Sequence, residues 1–522
     1  MKFNPNRLWI VAILLGWVFD FLFWKQSPGL NFALFSTLCL LGGFGLLHTH
    51  GLRPARQSLW LLIPFAFFAV ITFLRQEPLT IFLAYTFAIF SIGVLASTYL
   101  GGRWIRYSLA DYFRNFFQLI GSMLWRGFVF YGEGNKVQAE TKKPFPIWAI
   151  LRGLLIALPI VLCFGSLLAS ADVIFNQKLA KVFEGFNLGE EILQVLIILV
   201  CVYLLAGTFL HTASRSKDEK LLGEDQPLIK QFLGFTESSI VLGSVAILFL
   251  TFVVIQFKYF FGGQTNIGVE GFTYSQYARR GFNELITVAF FSLVMILGLS
   301  TATRRESKSQ RRVYSGLGVV IVAEVMVILV SAFQRINLAI DWHGYSRLRL
   351  YPQIFLVWLG LLLIAVAALE VLRRERYFAF AAVLASIGFA VSLSVFNVDA
   401  SIVRHNLERV VQGKNLNVPH LASLSADAIP ALAEKFMDPS LPTDIHEGIG
   451  AILVCHKHSI QSNPKWDWRS FNLSRWQAER ALTQVHATLT AYHYFYRHGS
   501  PRVLTPGNVY FECLDTAGSD ND

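Results

Sequence analysis

Eleven apolar runs, each close to the length of a bilayer-spanning helix, constrain this chain more than any other feature. They occupy residues 8–23, 30–47, 59–73, 79–100, 147–169, 192–210, 239–257, 285–300, 317–333, 354–372 and 378–395. Crossing the hydrocarbon core takes about 20 mostly apolar residues, with a usual range of about 17–25, so flanking residues must complete the shorter runs. None alternates with period 2, which argues against a lipid-exposed β-barrel. Backbone groups in lipid must bond internally, which leaves helices. The chain is 54% hydrophobic and only 15% charged, against about 25% charge in soluble globular proteins. These figures exclude a disordered chain, a collagen-like fibre and a disulfide-rich secreted scaffold. Ten further runs follow the first, and no small-residue cleavage pattern stands out, so it is not read as a removable signal peptide. The expected fold is an all-α polytopic membrane protein with about eleven transmembrane helices in residues 1–395. A small, mainly α-helical extramembrane domain is expected in 396–522.

Orientation follows from Lys and Arg in the loops. With the N-terminus inside, the even-numbered loops and the N-terminal segment carry more than twice as many of them as the odd-numbered loops. Arg304, Arg305, Arg311 and Arg312 then share a side with Arg373, Arg374 and Arg376. This predicts a cell (inner) membrane protein with a cytoplasmic N-terminus and, for an odd span count, an extracytoplasmic C-terminus. The net charge of +11 reflects basic loops beside anionic lipid. No basic-aromatic module or finger spacing supports a nucleic-acid partner.

Residues 396–522 change composition towards polar residues, prolines and amphipathic stretches. Residues 397–411 read as a helix continuing out of the membrane. Asp427 suits an N-cap, with Pro430 in the first turn. Residues 474–494 read as a longer amphipathic helix, and 501–514 as a short hairpin.

Several motifs fall in the loops placed outside. Asp20 is followed by Pro28-Gly-Leu-Asn31, and the fifth run ends in Ser166-Leu-Leu-Ala-Ser-Ala-Asp172. Tyr277-Ala-Arg-Arg-Gly-Phe282 leads into the eighth run, and Ser346-Arg-Leu-Arg-Leu-Tyr351 closes loop nine. Asn397-Val-Asp-Ala400 and Leu424-Ser-Ala-Asp-Ala428 follow. In these motifs and their order the chain resembles a family of uncharacterised bacterial multi-pass membrane proteins, a domain of unknown function. The resemblance covers roughly residues 8–435. It departs at His343-Gly-Tyr-Ser346, where the family pattern has a Tyr-Gly-Leu-Thr type of sequence. It implies a multi-pass architecture and no particular activity.

The residues themselves suggest an outer-face cluster of Asp20, Tyr277, Arg279, Arg280, Glu284, Arg335, Asp341, Arg347, Arg349 and Asp399. Arg280 and Glu284 stand four apart and can pair along a helix, and Arg347 and Arg349 can gather around Asp341. Arginine suits bidentate recognition of phosphate or carboxylate, so one reading is a pocket for an anionic small molecule or lipid head group. The other is that Arg and Tyr anchor helix ends at the interface. Glu324 lies inside the ninth run, where a carboxylate is expensive. It suggests an intramembrane proton or polar site, or a neutral acid bonded to a neighbouring helix.

Cys455 and Cys513 are the two cysteines outside the runs, in a compartment that permits a disulfide. Cys455-His-Lys-His458 lacks a second ligand pair at zinc spacing. No metal, cofactor or catalytic residue is assigned, and no P-loop, nucleophile elbow or HExxH pattern is present. Three functions stay open. The first is transport or handling of an anionic envelope-derived or lipid-linked ligand, and the second a membrane sensor or scaffold binding a protein partner through its C-terminal domain. The third is an interfacial transferase, for which no paired carboxylates stand at a recognisable spacing.

Overall fold

A computed structural model describes residues 5–136, parts of 161–178, 190–217, 221–222, 231–261, 282–414, 416, 418–462, 467–497 and 500–513. The longer helices are α1 (Pro5–Phe23), α2 (Leu30–Thr49), α3 (Leu62–Leu74), α4 (Pro78–Thr98), α5 (Leu109–Lys136), α6 (Glu190–Arg215), α7 (Phe235–Phe261), α8 (Phe282–Ala302), α9 (Lys308–His343), α10 (Arg347–Val371) and α11 (Phe378–Phe396). The C-terminal part adds α12 (Val398–Val411), α13 (Val418–Ala422), α14 (Ile429–Phe436), α15 (Thr443–Ser462), α16 (Leu473–Gln484) and α17 (His486–Leu489). Three strands follow, β1 (His493–Arg497), β2 (Ser500–Leu504) and β3 (Tyr510–Glu512).

Among the described residues, nine helices are long and apolar enough to cross a membrane. They are α1, α2, α4 and α6 to α11, and each overlaps one of the apolar runs. Their outward residues are large and apolar, as at Ile247, Leu248 and Phe291, each more than 60% exposed. Such surfaces suit contact with lipid, since exposed apolar patches of this extent are avoided in soluble proteins. Of the other two runs, 59–73 forms an apolar but shorter helix within Ser58–Leu74, and 147–169 lies mostly outside the described residues.

An element that hydropathy does not reveal is α5, in loop four. Leu109, Phe113, Phe116, Phe117 and Ile120 recur at helical spacing and are exposed, while Asp111, Leu119 and Ser122 are buried. Arg114, Asn115 and Gln118 interrupt the run, so the helix is amphipathic rather than continuously apolar.

The chain divides into two compact units. One comprises residues 1–66, 89–104 and 110–219. In it α1 packs on α2 and α6 around Leu8, Ala12, Val202 and Ala206. A Cβ on Gly207 would lie 2.7 Å from the Met123 backbone, so glycine lets α6 meet α5 backbone to backbone.

The other unit comprises residues 67–88, 105–109 and 220–522. Its helices α7 to α10 enclose Leu242, Ala289, Ile321, Val325, Ile328 and Leu363. The C-terminal part supplies most of a further aliphatic core, with Ile402, Val403, Leu421, Leu432, Ile449 and Ile452 all fully buried, which Leu393 of α11 joins. Each such side chain contributes about 1.5–3 kcal/mol. The sheet is antiparallel in the order β1-β2-β3, with Tyr494 opposite Val503 and Val503 opposite Phe511. Cys455 on α15 and Cys513 beyond β3 form a disulfide with a Cα separation of 5.6 Å.

Two local expectations differ from this structure. The amphipathic helix ends at Gln484 rather than Tyr494, because the aromatic run His493-Tyr-Phe-Tyr pairs with β2 as a strand. Within that run Tyr494 stacks on His458 at 3.8 Å. Asp427 does not cap its own helix: Ser425 accepts its amide at 3.3 Å, and the carboxylate reaches elsewhere.

Candidate functional site

A chain of buried charges joins four segments of the second unit. It starts at the first residue of α10, where Arg347 donates to both carboxylate oxygens of Asp399, Nε to Oδ1 at 2.8 Å. Asp399 lies one residue into α12, after Asn397, whose left-handed backbone (φ 44°) and side chain cap that helix. The connection from α11 to α12 thus turns within one residue and points Asp399 inward. Its carboxylate is fully buried, and Oδ2 also accepts the Ser425 amide (2.8 Å) and hydroxyl (2.6 Å).

Two residues on, Asp427 Oδ2 accepts the amides of Gln76 (2.7 Å) and Glu77 (2.8 Å). These amides precede α4, and a helix start leaves amides that need outside acceptors. Arg75 stands 3.9 Å from the same carboxylate and donates Nε to the Ser394 carbonyl at 3.0 Å. Burial pushes the Asp427 carboxyl up, against the Gln76 amide and Arg75, which favour its charged form.

Glu77 closes the circuit. It is 3% exposed and caps α4 by accepting the Leu79 and Thr80 amides at 2.9 and 2.7 Å. Pro78 follows it, suited to a first helical position because it lacks an amide proton. The Tyr351 hydroxyl, one turn along α10 from Arg347, donates to Glu77 Oε1. The network therefore contains Arg75, Glu77, Arg347, Tyr351, Asp399, Ser425 and Asp427.

A second set of bonds fastens loop nine to α12. Asn406 accepts the Tyr345 amide at 2.7 Å and donates to its carbonyl at 2.9 Å. Gly344 precedes it at φ 81°, where a Cβ would fall 2.6 Å from Asn406 Oδ1. Arg409 donates to the carbonyls of Ile340 and Asp341, and Arg349 to that of Gly344 at 2.7 Å. His420 has a buried Nε2; burial, then Arg349 and Arg347, hold its pKa down.

The expected cluster is distributed as follows. Arg347 and Asp399 come together, and Arg349 lies beside them in sequence but bonds to backbone. Asp341 is exposed and is not the partner of Arg347, because Asp399 meets the guanidinium with both oxygens from a buried position. Arg335 is 9% exposed on α9 and donates to Gln256 Oε1 at 3.3 Å. Asp20 belongs to the first unit, where it accepts from Gln194 at 2.7 Å. Glu284 is exposed in the first turn of α8. Tyr277, Arg279 and Arg280 lie outside the described residues. Glu324 is 8% exposed, and its Oε2 is buried without a hydrogen-bond partner among the described residues.

Sequence reasoning missed Arg75 and Glu77, which lie 270 or more positions before their partners. The one available signal was Glu-Pro at a helix start, with Thr80 three residues beyond the Glu.

No curated protein and no solved structure matches the chain. A family match runs over residues 62–435, so the network lies inside it, while Asn472, which donates to the Arg75 carbonyl at 3.0 Å, lies beyond it and Asp20 and residues 28–31 precede it. That stretch is more than half of the chain, and the protein belongs to the family described as a domain of unknown function, DUF4153.

Proposed function

We propose that this integral membrane protein is a sensor or scaffold of the cell membrane whose C-terminal module binds a protein partner outside the cytoplasm. The observation that carries this reading is the buried network. Arg347 is held by both carboxylate oxygens of Asp399, and Asp399 and Asp427 accept from Ser425, Gln76 and Glu77. Groups matched in this way act as a joint between the C-terminal module and the membrane helices rather than as a receptor for an anion. A rigid joint lets a partner on the module bias the helices, as coupling between sites requires. The Cys455–Cys513 bridge supports an oxidising compartment for the module.

A second reading, transport, is favoured by Glu324 alone, whose unpartnered buried oxygen lies within a spanning helix. Complementation of a gene deletion separates the two. Under the sensor reading, deletion of residues 440–522 and Arg347→Met both abolish function while Glu324→Gln is silent. Loss of function in Glu324→Gln together with an active truncation would replace it with transport.

A further inference from the structure

The last residues of α10 border a second charged site with the opposite balance. A cavity of about 330 Å³ is lined there by Arg305, Arg311, Arg312 and Arg373, with Glu370 and Glu375. Its inner wall is neutral. Glu370, 4% exposed, is paired with Arg305 and accepts from the Ser300 hydroxyl at 2.7 Å. Arg305 also donates to the Ser300 carbonyl at 2.6 Å and lies 4.3 Å from the Tyr314 ring centre. With that pair set aside, three exposed arginines face one remaining carboxylate, Glu375.

Two backbone features make this surplus unusual. Arg311 and Arg312 lie near the N-terminus of α9, whose first turn holds no acidic residue, although the helix dipole there favours anions and disfavours cations. Arg373 adopts φ 58°, the left-handed region that glycine fills without a Cβ penalty. It does so just past α10, where the Arg373 amide donates to the Glu370 carbonyl and the Arg374 amide to that of Leu369, in the pattern that usually takes glycine. Strained residues of this kind gather at ligand sites. One anion in the cavity would answer the three guanidinium groups together. Val319 and Val371 also line it, beside Ser315 and Gly316, and Leu372 next to Val371 is exposed, giving the cavity an apolar flank.

We infer that this cavity binds a phosphate-bearing anion, with the head group of an anionic phospholipid as the source that the apolar flank favours. Basic pockets between membrane helices have this chemistry, and arginine forks match phosphate oxygens. The inference is independent of the network at the other end of α10.

The test uses the full chain in nanodiscs of phosphatidylcholine with graded phosphatidylglycerol, counting retained lipids by native mass spectrometry. Wild-type protein is expected to retain phosphatidylglycerol preferentially. The pair Arg311→Gln with Arg312→Gln should weaken that retention about tenfold or more, as expected for lost charge-assisted hydrogen bonds. Arg373→Gly should weaken it as well while keeping the fold, because glycine suits the backbone there. Displacement of the lipid by millimolar inorganic phosphate would support the site and identify a free anion as its source. Lack of displacement would support the lipid. Equal retention of the two lipids by wild type, or undiminished phosphatidylglycerol retention in both variants, would overturn the inference.

Discussion

Helix α10 runs 25 residues from Arg347 to Val371, about 37 Å at the usual rise, and its two ends treat charge in opposite ways. At the first end, Arg347 meets a carboxylate that is fully buried and that also holds two groups of Ser425. At the last end, Arg305 and Glu370 neutralise one another, while Arg311, Arg312 and Arg373 stay exposed. Solvent explains the difference. A buried charge without a partner costs several kcal/mol, so the first end is matched group by group. An exposed guanidinium keeps its hydration and tolerates an unmatched neighbour. Matching makes the first end a joint, and surplus makes the last end a place for an anion.

The largest effect that could break this contrast is removal of one partner at the joint. Arg347→Met leaves Asp399 buried without its counter-charge and should destabilise the second unit by about 3–5 kcal/mol. The check is thermal unfolding of the full chain in detergent. The double variant Arg347→Met with Asp399→Leu should recover only part of this, because the Ser425 amide and hydroxyl then lose their acceptor. Full recovery would mean that Ser425 adds nothing to the joint.

A smaller effect is expected from the covalent link within the C-terminal module. Cys455→Ala with Cys513→Ala removes a bridge of sequence separation 58 and should cost about 2–4 kcal/mol. Hydrogen exchange should rise in α15 and the sheet and stay unchanged at the arginine cavity. Equal loosening at both ends of α10 would show that the two clusters are not separate.

The smallest effect is on pH. Burial pushes the His456 imidazole down to about 4, and His420 is also lowered, by burial and then by Arg349 and Arg347. Both are held neutral in the fold and take up protons more readily when unfolded. The contribution of each is therefore present above the ordinary histidine pKa of about 6.5 and is lost as pH falls towards its lowered value, about 4 for His456. Asp427, with its carboxyl raised by burial, has the opposite sign, losing stability as pH rises through its own range. Hydrogen-exchange protection of residues 443–462 should drop between pH 6.5 and 4. The drop should shrink in His456→Gln, and a flat profile in wild type would refute the assignment.

Much of the architecture was legible from local pattern. Nine apolar runs overlap helices long enough to cross a membrane, because lipid exposure demands apolar residues on every outward position. Helix α5 escaped notice because Arg114, Asn115 and Gln118 break its hydropathy while Phe113, Phe116 and Phe117 keep its period. The C-terminal sheet was half visible: the Pro-Gly hairpin could be read, but β1 was absorbed into a helix, since its aromatic residues also extend the apolar side of the helix that precedes them.

For the site, the motifs around Arg347 and Asp399 stood out as charges at helix ends, yet their partners did not. The proximity of Arg347 to Asp341 in sequence suggested that pair, and Asn397 redirected the chain so that Asp399 took its place. Arg75 and Glu77 carried only the Glu-Pro signal of a helix start, and nothing in their short loop pointed to Asp427 or Tyr351.

The amino-acid order alone determines that the chain is a helical membrane protein with a compositionally distinct C-terminal part, because helix formation and lipid exposure are decided within about twenty neighbouring residues. It also determines which ends of the helices are rich in arginine. Only the tertiary structure decides which of those arginines are neutralised. Pairing depends on carboxylates that arrive from other segments, 52 residues away for Arg347, 65 for Arg305 and several hundred for Arg75, and on whether each pair is buried. Arg347 and Arg373 stand at the two ends of one helix. The first has met Asp399, and the second has met no carboxylate among the described residues.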